Sequence, residues 1–150
     1  AAGTRVVADL PALVDLLRGA GARRGYCEPG LGEIAVELGR TFEVVGACER
    51  DGIDALDFGV TRATAGIVET GSLVLTDRDT PGRLVALAPW VHVAVLRAAD
   101  VHATLLDALG ALGTDPNVVL VTGPSRTADV EGVLVEGVHG PGVQACLLLP

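Results

Sequence analysis

The sequence predicts a three-layer α/β domain with a mainly parallel sheet, and one segment carries most of this prediction. Val91–Leu96 and Val118–Val121 are apolar almost throughout, which is typical of strands covered on both faces. Between them, Asp100–Gly110 has the apolar spacing of one helix face, with Asp100 as the expected N-cap. A strand, a helix and a strand in this order predict a βαβ crossover. The 150 residues fit a single domain, 1–150.

Two helices are predicted in the first third of the chain. Asp9 is the expected N-cap of the first helix, Pro11 lies in its first turn, and Gly19 ends it. A second short helix is expected over Glu33–Leu38, followed by the extended segment Phe42–Ala47. The apolar residues of the first helix recur at helical spacing: Leu10, Leu13, Val14 and Leu17.

The remaining elements are predicted in order along the chain. Ile67–Glu69 and Leu73–Thr76 flank a glycine turn and are predicted to be strands. Leu84–Leu87 indicates a short helix that ends before Pro89. Val143–Leu149 gives at least one further strand near a sheet edge.

The composition excludes several classes of protein. An apolar content of 49% is too high for a disordered chain. Eleven basic residues, all arginine, face 19 acidic ones, and the net charge of −8 leaves no positive field for nucleic acid. The absence of lysine removes Schiff-base and P-loop lysine chemistry. No apolar stretch approaches the length of a membrane span.

The cysteines and histidines predict neither a disulfide framework nor a metal site. Cys27, Cys48 and Cys146 form no C-x-x-C pair, so we expect reduced thiols and a cytoplasmic location. The three histidines show no metal-ligand spacing, and we expect no zinc or iron in this chain. His92 lies inside an apolar run and His102 on the predicted helix, so both are interpreted as structural.

Ligands of parallel sheets bind beyond the carboxyl ends of the strands, so the candidate sites are the loops that follow Val121, Thr61 and the Thr70–Gly71 turn. The segment that follows Val118–Val121 is the most informative of them. A helix that opens at Pro124 or Ser125 would place hydroxyls and the Arg126 guanidinium beside free backbone amides, which suits a carboxylate or phosphate. The alternative is a helix start whose donors are satisfied locally, with Arg126 paired to Asp129 or Glu131. The candidate ligand-binding residues here are Gly123, Ser125, Arg126, Thr127 and Asp129.

Two further candidates carry groups for acid–base or nucleophilic chemistry. Glu69 precedes a glycine turn, where a carboxylate can act as nucleophile or base and Ser72 can orient it. Glu69 can equally be a solvent-facing residue of a hairpin. His139 lies in a glycine-rich loop and can act as an acid or base, or make only a structural hydrogen bond. Dinucleotide, Walker and nucleophile-elbow motifs are absent from the sequence.

Four motifs, taken together, resemble a known family. They are V-E-T-G-S-L-V-L at Val68 to Leu75, P-W-V-H-V-A-V at Pro89 to Val95, T-G-P-S-R-T-A-D-V-E at Thr122 to Glu131, and G-V-H-G-P at Gly137 to Pro141. Their order and spacing resemble the LUD domain of the lactate-utilisation proteins of the LutC/YkgG type. The resemblance covers roughly 58–149.

This resemblance implies a fold similar to the NagB/RpiA/CoA-transferase group and a role in growth on L-lactate. It implies iron–sulfur partner proteins, which would hold the clusters, since this chain has no cysteine cluster of its own. It also implies an N-terminal helical segment, which we expect to be missing from this sequence. The resemblance places one pocket among these residues: Thr61, Glu69, Thr70, Gly71, Ser72, Gly123, Ser125, Arg126, Thr127, Asp129 and His139.

Two hypotheses about function follow. In the first, the chain is a cytoplasmic, non-metal subunit of a lactate-oxidising system, and it binds a small organic anion or its partners through Ser125, Arg126 and Thr127. In the second, it is a free-standing enzyme similar to CoA transferases or sugar-phosphate isomerases, with Glu69 as nucleophile or base. A third possibility is a structural module whose motifs only close turns, so the sequence leaves open whether the chain is an enzyme at all.

Overall fold

The central layer is a parallel sheet of six strands. The computed structural model of the protein describes residues 4–80, 82–114, 117–124, 126–128, 134–137 and 139–150. Within these ranges the strand order is β1-β12-β7-β4-β2-β3, and every neighbouring pair is parallel. The mainly parallel α/β class is therefore confirmed. The strands are β1 Arg5–Val7, β2 Arg24–Cys27, β3 Glu43–Val45, β4 Phe58–Arg62, β7 Val91–Arg97 and β12 Val143–Leu149.

A second, mixed sheet covers one face of the parallel sheet. Its described strands, in the order β8-β5-β6-β9, are β8 Val101–His102, β5 Ala65–Ile67, β6 Ser72–Thr76 and β9 Val118–Val121. Strand β6 is antiparallel to both β5 and β9, whereas β5 and β8 are parallel. A separate hairpin joins β10 Arg126–Ala128 to β11 Leu134–Glu136.

The predicted βαβ crossover is wrong, because β7 and β9 belong to different sheets. Strand β9 lies at the edge of the described second sheet, and it carries apolar side chains on both of its faces. Val119 and Val121 pack inward beside the core, while Val118 and Leu120 are exposed on the opposite face. An edge strand with apolar side chains on both faces has the same sequence pattern as a buried parallel strand.

The helices are close to the predicted positions, with one different cap. They are α1 Leu10–Gly19, α2 Gly32–Leu38, α3 Leu84–Leu87 and α4 Leu105–Leu112. As predicted, Asp9 caps α1, and its Oδ1 accepts a hydrogen bond of 2.8 Å from the Ala12 amide. Helix α4 begins later than predicted, because Thr104 and Asp107 form a reciprocal capping box there. Asp100 lies instead in the 3-10 turn Ala98–Asp100.

The core lies on both faces of the parallel sheet. Helices α1 and α2 bury Leu13, Leu17 and Leu38 against the face that carries Phe58 and Val93. On the other face, the second sheet packs Leu73 and Leu75 against Ala94 and Leu96. Helix α4 covers the outer face of the second sheet through Ala108 and Leu112. One face of the parallel sheet is therefore covered by helices α1 and α2, and the other is covered by the second sheet with helix α4 outside it.

Helix α3 lies directly on strand β4 at Gly59. A Cβ atom at this position would collide with the backbone carbonyl of Val85, which is not free to move away as a side chain would be. The close approach of α3 to the sheet therefore requires glycine at this position.

We expect Gly59→Ala to lower the free energy of unfolding by about 1–3 kcal/mol, because α3 must shift away from β4. Urea unfolding followed by circular dichroism measures this change. Gly110→Ala is the matched control: it lies inside α4 with open space around its Cβ position, and we expect it to be neutral or stabilising by about 0.5–1 kcal/mol. Equal midpoints for Gly59→Ala and wild type would contradict the described packing.

Candidate functional site

A cavity of about 580 Å³ lies at the carboxyl edge of the parallel sheet. Arg62, Arg97 and Leu149, the last residues of β4, β7 and β12, all line it. This is where parallel α/β sheets generally bind their ligands, because successive loops diverge there and leave a crevice. We refer to it as the Arg62 cavity. Its other charged lining residues are Arg78, Asp79 and Asp100.

The three arginines of the Arg62 cavity differ in how they are paired. Arg97 makes a bidentate pair with Asp100, with Nε–Oδ2 and Nη2–Oδ1 distances of 2.8 and 3.2 Å. Arg78 Nη2 lies 3.5 Å from Asp79 Oδ2. Arg62 instead donates from Nη2 to the Gly30 carbonyl at 3.0 Å, and no carboxylate of the described residues lies at ion-pair distance from it. Arg62 is therefore the guanidinium best placed to receive an external anion.

Asp79 presents a carboxylate to the same cavity. Its Oδ2 accepts a hydrogen bond of 2.6 Å from the Thr64 hydroxyl, which also lies 2.7 Å from the Thr76 hydroxyl. No hydrogen bond from the described residues reaches its Oδ1. The cavity therefore offers acceptors as well as cationic donors.

Glu28 follows β2 at the same edge of the sheet and contributes to the local field. Burial raises the pKa of this carboxyl group, while the Tyr26 hydroxyl and the charge of Arg62 lower it in part. The Tyr26 hydroxyl lies 3.5 Å from Glu28 Oε2, and burial together with Glu28 raises the pKa of Tyr26 to about 12. Glu28 is thus a carboxyl group held close to the charge of Arg62.

A buried polar row crosses the three central strands. His92 on β7 lies between Thr61 on β4 and Gln144 on β12, with Nε2–Oγ1 and Nδ1–Oε1 distances of 2.8 and 2.9 Å. The Gln144 carbonyl oxygen can only accept, so Nδ1–H donates to it and Nε2 accepts from the Thr61 hydroxyl. Burial lowers the pKa of His92 to about 4. Thr61, predicted as a ligand-binding residue, is fully buried in this row and does not line the Arg62 cavity.

The predicted residues Thr70, Gly71 and Ser72 lie at the opposite end of β6. The Ser72 hydroxyl is 2.7 Å from that of Thr70 and 2.8 Å from that of Thr122, and the Gly71 carbonyl accepts from Thr4. Strand β6 runs from Ser72 to Thr76, a rise of about 13 Å, and only the Thr76 end meets the cavity cluster. The hydroxyl cluster is therefore distant from the Arg62 cavity.

Glu69 and His139, predicted as catalytic, also lie outside the Arg62 cavity. Glu69 Oε1 accepts a hydrogen bond of 2.9 Å from the Leu105 amide and so caps the first turn of α4. His139 is exposed in the loop before β12, where Trp90 lies over Gly142. This loop precedes β12 and is at the amino edge of the sheet, whereas the cavity is at the carboxyl edge.

The structure describes part of the predicted anion loop. Gly123 has a φ of 89°, in the left-handed region that favours glycine. Ser125 and Asp129 lie outside the described residues, and Arg126 and Thr127 belong to strand β10. The predicted helix start is wrong, since the backbone of Arg126–Ala128 pairs with Leu134–Glu136 in an antiparallel arrangement. The free amides of a helix N-terminus therefore do not support an anion site here.

Sequence reasoning named the loop after Thr61 as a candidate ligand site but did not name Arg62 itself, and it missed Arg97, although a signal for both arginines was present. Each arginine directly follows an apolar strand, Phe58–Thr61 or Val91–Leu96, so each marks the carboxyl end of that strand. The rule that placed ligands beyond Val118–Val121 applies to these two strands instead, because they are the neighbours in the parallel sheet.

Residues 43–149 match the LUD domain family, and the chain belongs to this family. It is 32% identical over 100 residues to Lactate utilization protein C of Shouchella clausii, covering 62% of this chain and 43% of the relative. It is 33% identical over 94 residues to the protein of the same name from Deinococcus radiodurans, covering 59% and 44%. An uncharacterized protein of Neisseria meningitidis, NMB1437, is 34% identical over 91 residues, covering 57% and 39%.

The matched segment spans about two fifths of the length of these curated relatives. A solved structure of a DUF162 family protein from Deinococcus radiodurans has a TM-score of 0.58 at 20% identity and covers 94% of this chain and 96% of its own. That likeness supports the fold. None of the helices in the described part of the chain has the length and apolar character that a membrane span requires.

Because His92 titrates near pH 4 when folded and near 6.5 when unfolded, acid favours unfolding. We expect this residue to reduce the free energy of unfolding by about 2 kcal/mol between pH 7 and pH 5. Urea titrations of wild type and His92→Gln at both pH values measure the effect, and the pH dependence is expected to be smaller in the variant. His139→Gln, at an exposed position, is the control; pH dependences equal in wild type and His92→Gln would contradict a neutral buried imidazole.

Proposed function

We propose that this chain is part of a lactate-utilisation protein and that it binds a small organic anion at the Arg62 cavity. The curated relatives named Lactate utilization protein C support the first half of the proposal. The observation that carries the second half is the Arg62 guanidinium, which lies in a cavity at the carboxyl edge of the sheet without a carboxylate of the described residues in ion-pair contact.

The physical argument for an anion is one of local charge. The chain carries a net charge of −8, so most of its surface repels anions. The Arg62 cavity is an exception, since its described lining residues include three arginines and two aspartates. Arg97 and Arg78 are engaged by Asp100 and Asp79, which leaves the charge of Arg62 to attract a carboxylate.

The proposed partners are iron–sulfur proteins that would carry out the electron transfer in oxidation of lactate to pyruvate. Iron–sulfur clusters are held by groups of cysteine thiolates, and the three cysteines of this sequence are widely separated along the chain. We therefore assign the clusters to the partners. The acidic surface favours partners with basic patches.

We assign partner contact, and not anion binding, to the segment that includes Ser125, Arg126 and Thr127. Two considerations support this choice. The described part of the segment belongs to hairpin β10–β11, which is separate from both larger sheets. An antiparallel strand also lacks the row of free amides that a helix N-terminus would direct at a small anion.

The alternative function, a transferase-like or isomerase-like enzyme with Glu69 as nucleophile, has less support from the geometry. The Glu69 carboxylate is engaged by the Leu105 amide at the start of α4. The hydroxyl cluster beside it lies at the far end of β6 from the Arg62 cavity. A nucleophile needs a substrate site next to it, and the Arg62 cavity does not adjoin Glu69.

We expect Glu69→Gln to lower the free energy of unfolding by about 0.5–1 kcal/mol, because the charged cap of α4 is lost. Anion binding should be unchanged. Urea unfolding and calorimetric titration with L-lactate measure the two effects, with Glu49→Gln as a control whose side chain makes no cap hydrogen bond. Loss of lactate binding without loss of stability would favour the Glu69 hypothesis.

We expect L-lactate or pyruvate to raise the thermal midpoint of wild type, because a ligand that binds only the native state stabilises it. Arg62→Gln should weaken this binding by about 10- to 100-fold, since a charge-assisted hydrogen bond contributes about 1.5–3 kcal/mol. Arg40→Gln is the matched control, because that arginine is paired with Glu37 and does not line the Arg62 cavity. A midpoint that no small carboxylate shifts, or an equal shift in wild type and Arg62→Gln, would overturn the proposed site.

A further inference from the structure

The Arg62 cavity is larger than a three-carbon acid requires. Its volume is about 580 Å³. Pockets of about 300–1,000 Å³ generally enclose ligands much larger than lactate. Lactate would therefore leave most of the cavity filled with water, and a longer ligand would contact more of the lining.

The charges of the cavity limit how many negative groups such a ligand can carry. Asp79 and Asp100 line the same space as Arg62, and Glu28 lies close enough to feel the charge of Arg62. A second anionic group would meet these carboxylates, and like charges in a partly enclosed site repel strongly. The electrostatics thus favour a ligand with one negative charge.

The hydrogen-bonding groups of the lining favour hydroxyls on the rest of the ligand. Asp79 Oδ1 accepts no hydrogen bond from the described residues, although Thr64 and Arg78 both approach Oδ2. A ligand that covered this carboxylate with hydrocarbon would leave a charged acceptor unpaired, which is costly. A ligand hydroxyl can donate to Oδ1 and remove that cost.

The remaining lining residues argue against an aromatic ligand. Leu31, Val95 and Leu149 are aliphatic, and within the described part of the chain no aromatic residue lines the cavity. A nucleobase or flavin ring would find no stacking platform on these side chains. The carbon backbone of a hydroxylated acid requires no aromatic stacking partner.

From these observations we propose that the Arg62 cavity binds a polyhydroxylated monocarboxylate longer than lactate, a ligand of the sugar-acid class. Its carboxylate pairs with Arg62, and its hydroxyls reach toward Asp79 and Thr64. This inference rests on the proposed function, since it assumes that Arg62 holds the carboxylate. It adds the length and the hydroxyl groups of the ligand.

Calorimetric titration of the full chain with four carboxylates tests the inference. D-Gluconate and hexanoate have the same number of carbons and the same charge, and D-glycerate and L-lactate are shorter. We expect gluconate to bind at least about 10-fold more tightly than hexanoate or lactate, because one or two added hydrogen bonds contribute about 1.4 kcal/mol or more. Glycerate is expected to be intermediate. Gluconate binding no tighter than lactate or hexanoate would overturn the inference and leave Arg62 as an anion site.

Two variants connect the preference to particular residues. Asp79→Asn keeps the shape of the side chain but removes its charge, and we expect it to reduce the advantage of gluconate over lactate by about 10-fold. Asp77→Asn, on a nearby residue that does not line the cavity, should leave the advantage unchanged. An advantage that Asp79→Asn does not alter would also overturn the inference.

The failure of the proposed function has a separate signature. If no carboxylate binds wild type, or if Arg62→Gln binds all four as wild type does, the anion site itself is wrong. Circular dichroism checks that each variant is folded. If Asp79→Asn does not fold, the order of affinities in wild type still decides the inference.

Discussion

The parallel pairing of β7 with β4 on one side and β12 on the other is the constraint on which the rest of the structure depends. These central strands are covered on both faces, so their side chains alternate between the helix layer and the second sheet. The row formed by Thr61, His92 and Gln144 adds a polar link across all three strands in the dry interior. A slip of one residue in register would bury these polar groups against helices and break both hydrogen bonds.

The same register creates the candidate site. Strands β7 and β12 end in register at Arg97 and Leu149, and β4 ends at Arg62 opposite Val95, so all three strand ends line the same cavity at the carboxyl edge. The loop after β6 then supplies Asp79, held by Thr64 and Thr76. The rigid parallel sheet places the arginines, and pairing with aspartates determines which of them is available. A chain with strong negative charge can in this way keep one local site for an anion.

Local patterns predicted most of the elements and few of the site residues. The cap Asp9, the helix over Glu33–Leu38 and the hairpin around Thr70–Ser72 each depend on neighbours in sequence, so they were predictable. The pairing of β9 with β6 depends on residues about 45 positions apart, and the apolar run Val118–Val121 does not specify its sheet. The site prediction relied on that pairing and placed the anion beyond β9, although the cavity lies beyond β4, β7 and β12.

By itself the sequence determined the α/β class, the acidic surface, the absence of lysine chemistry and the resemblance to the LUD family, which the family match confirms. These properties follow from composition, periodicity and motifs, none of which requires knowledge of distant contacts. The tertiary structure alone decided that Glu69 caps a helix, that Thr61 is buried beside His92 and that Arg62 lacks a carboxylate partner among the described residues. Burial and pairing arise from contacts between residues far apart in the chain, and a linear pattern does not encode which charge remains available.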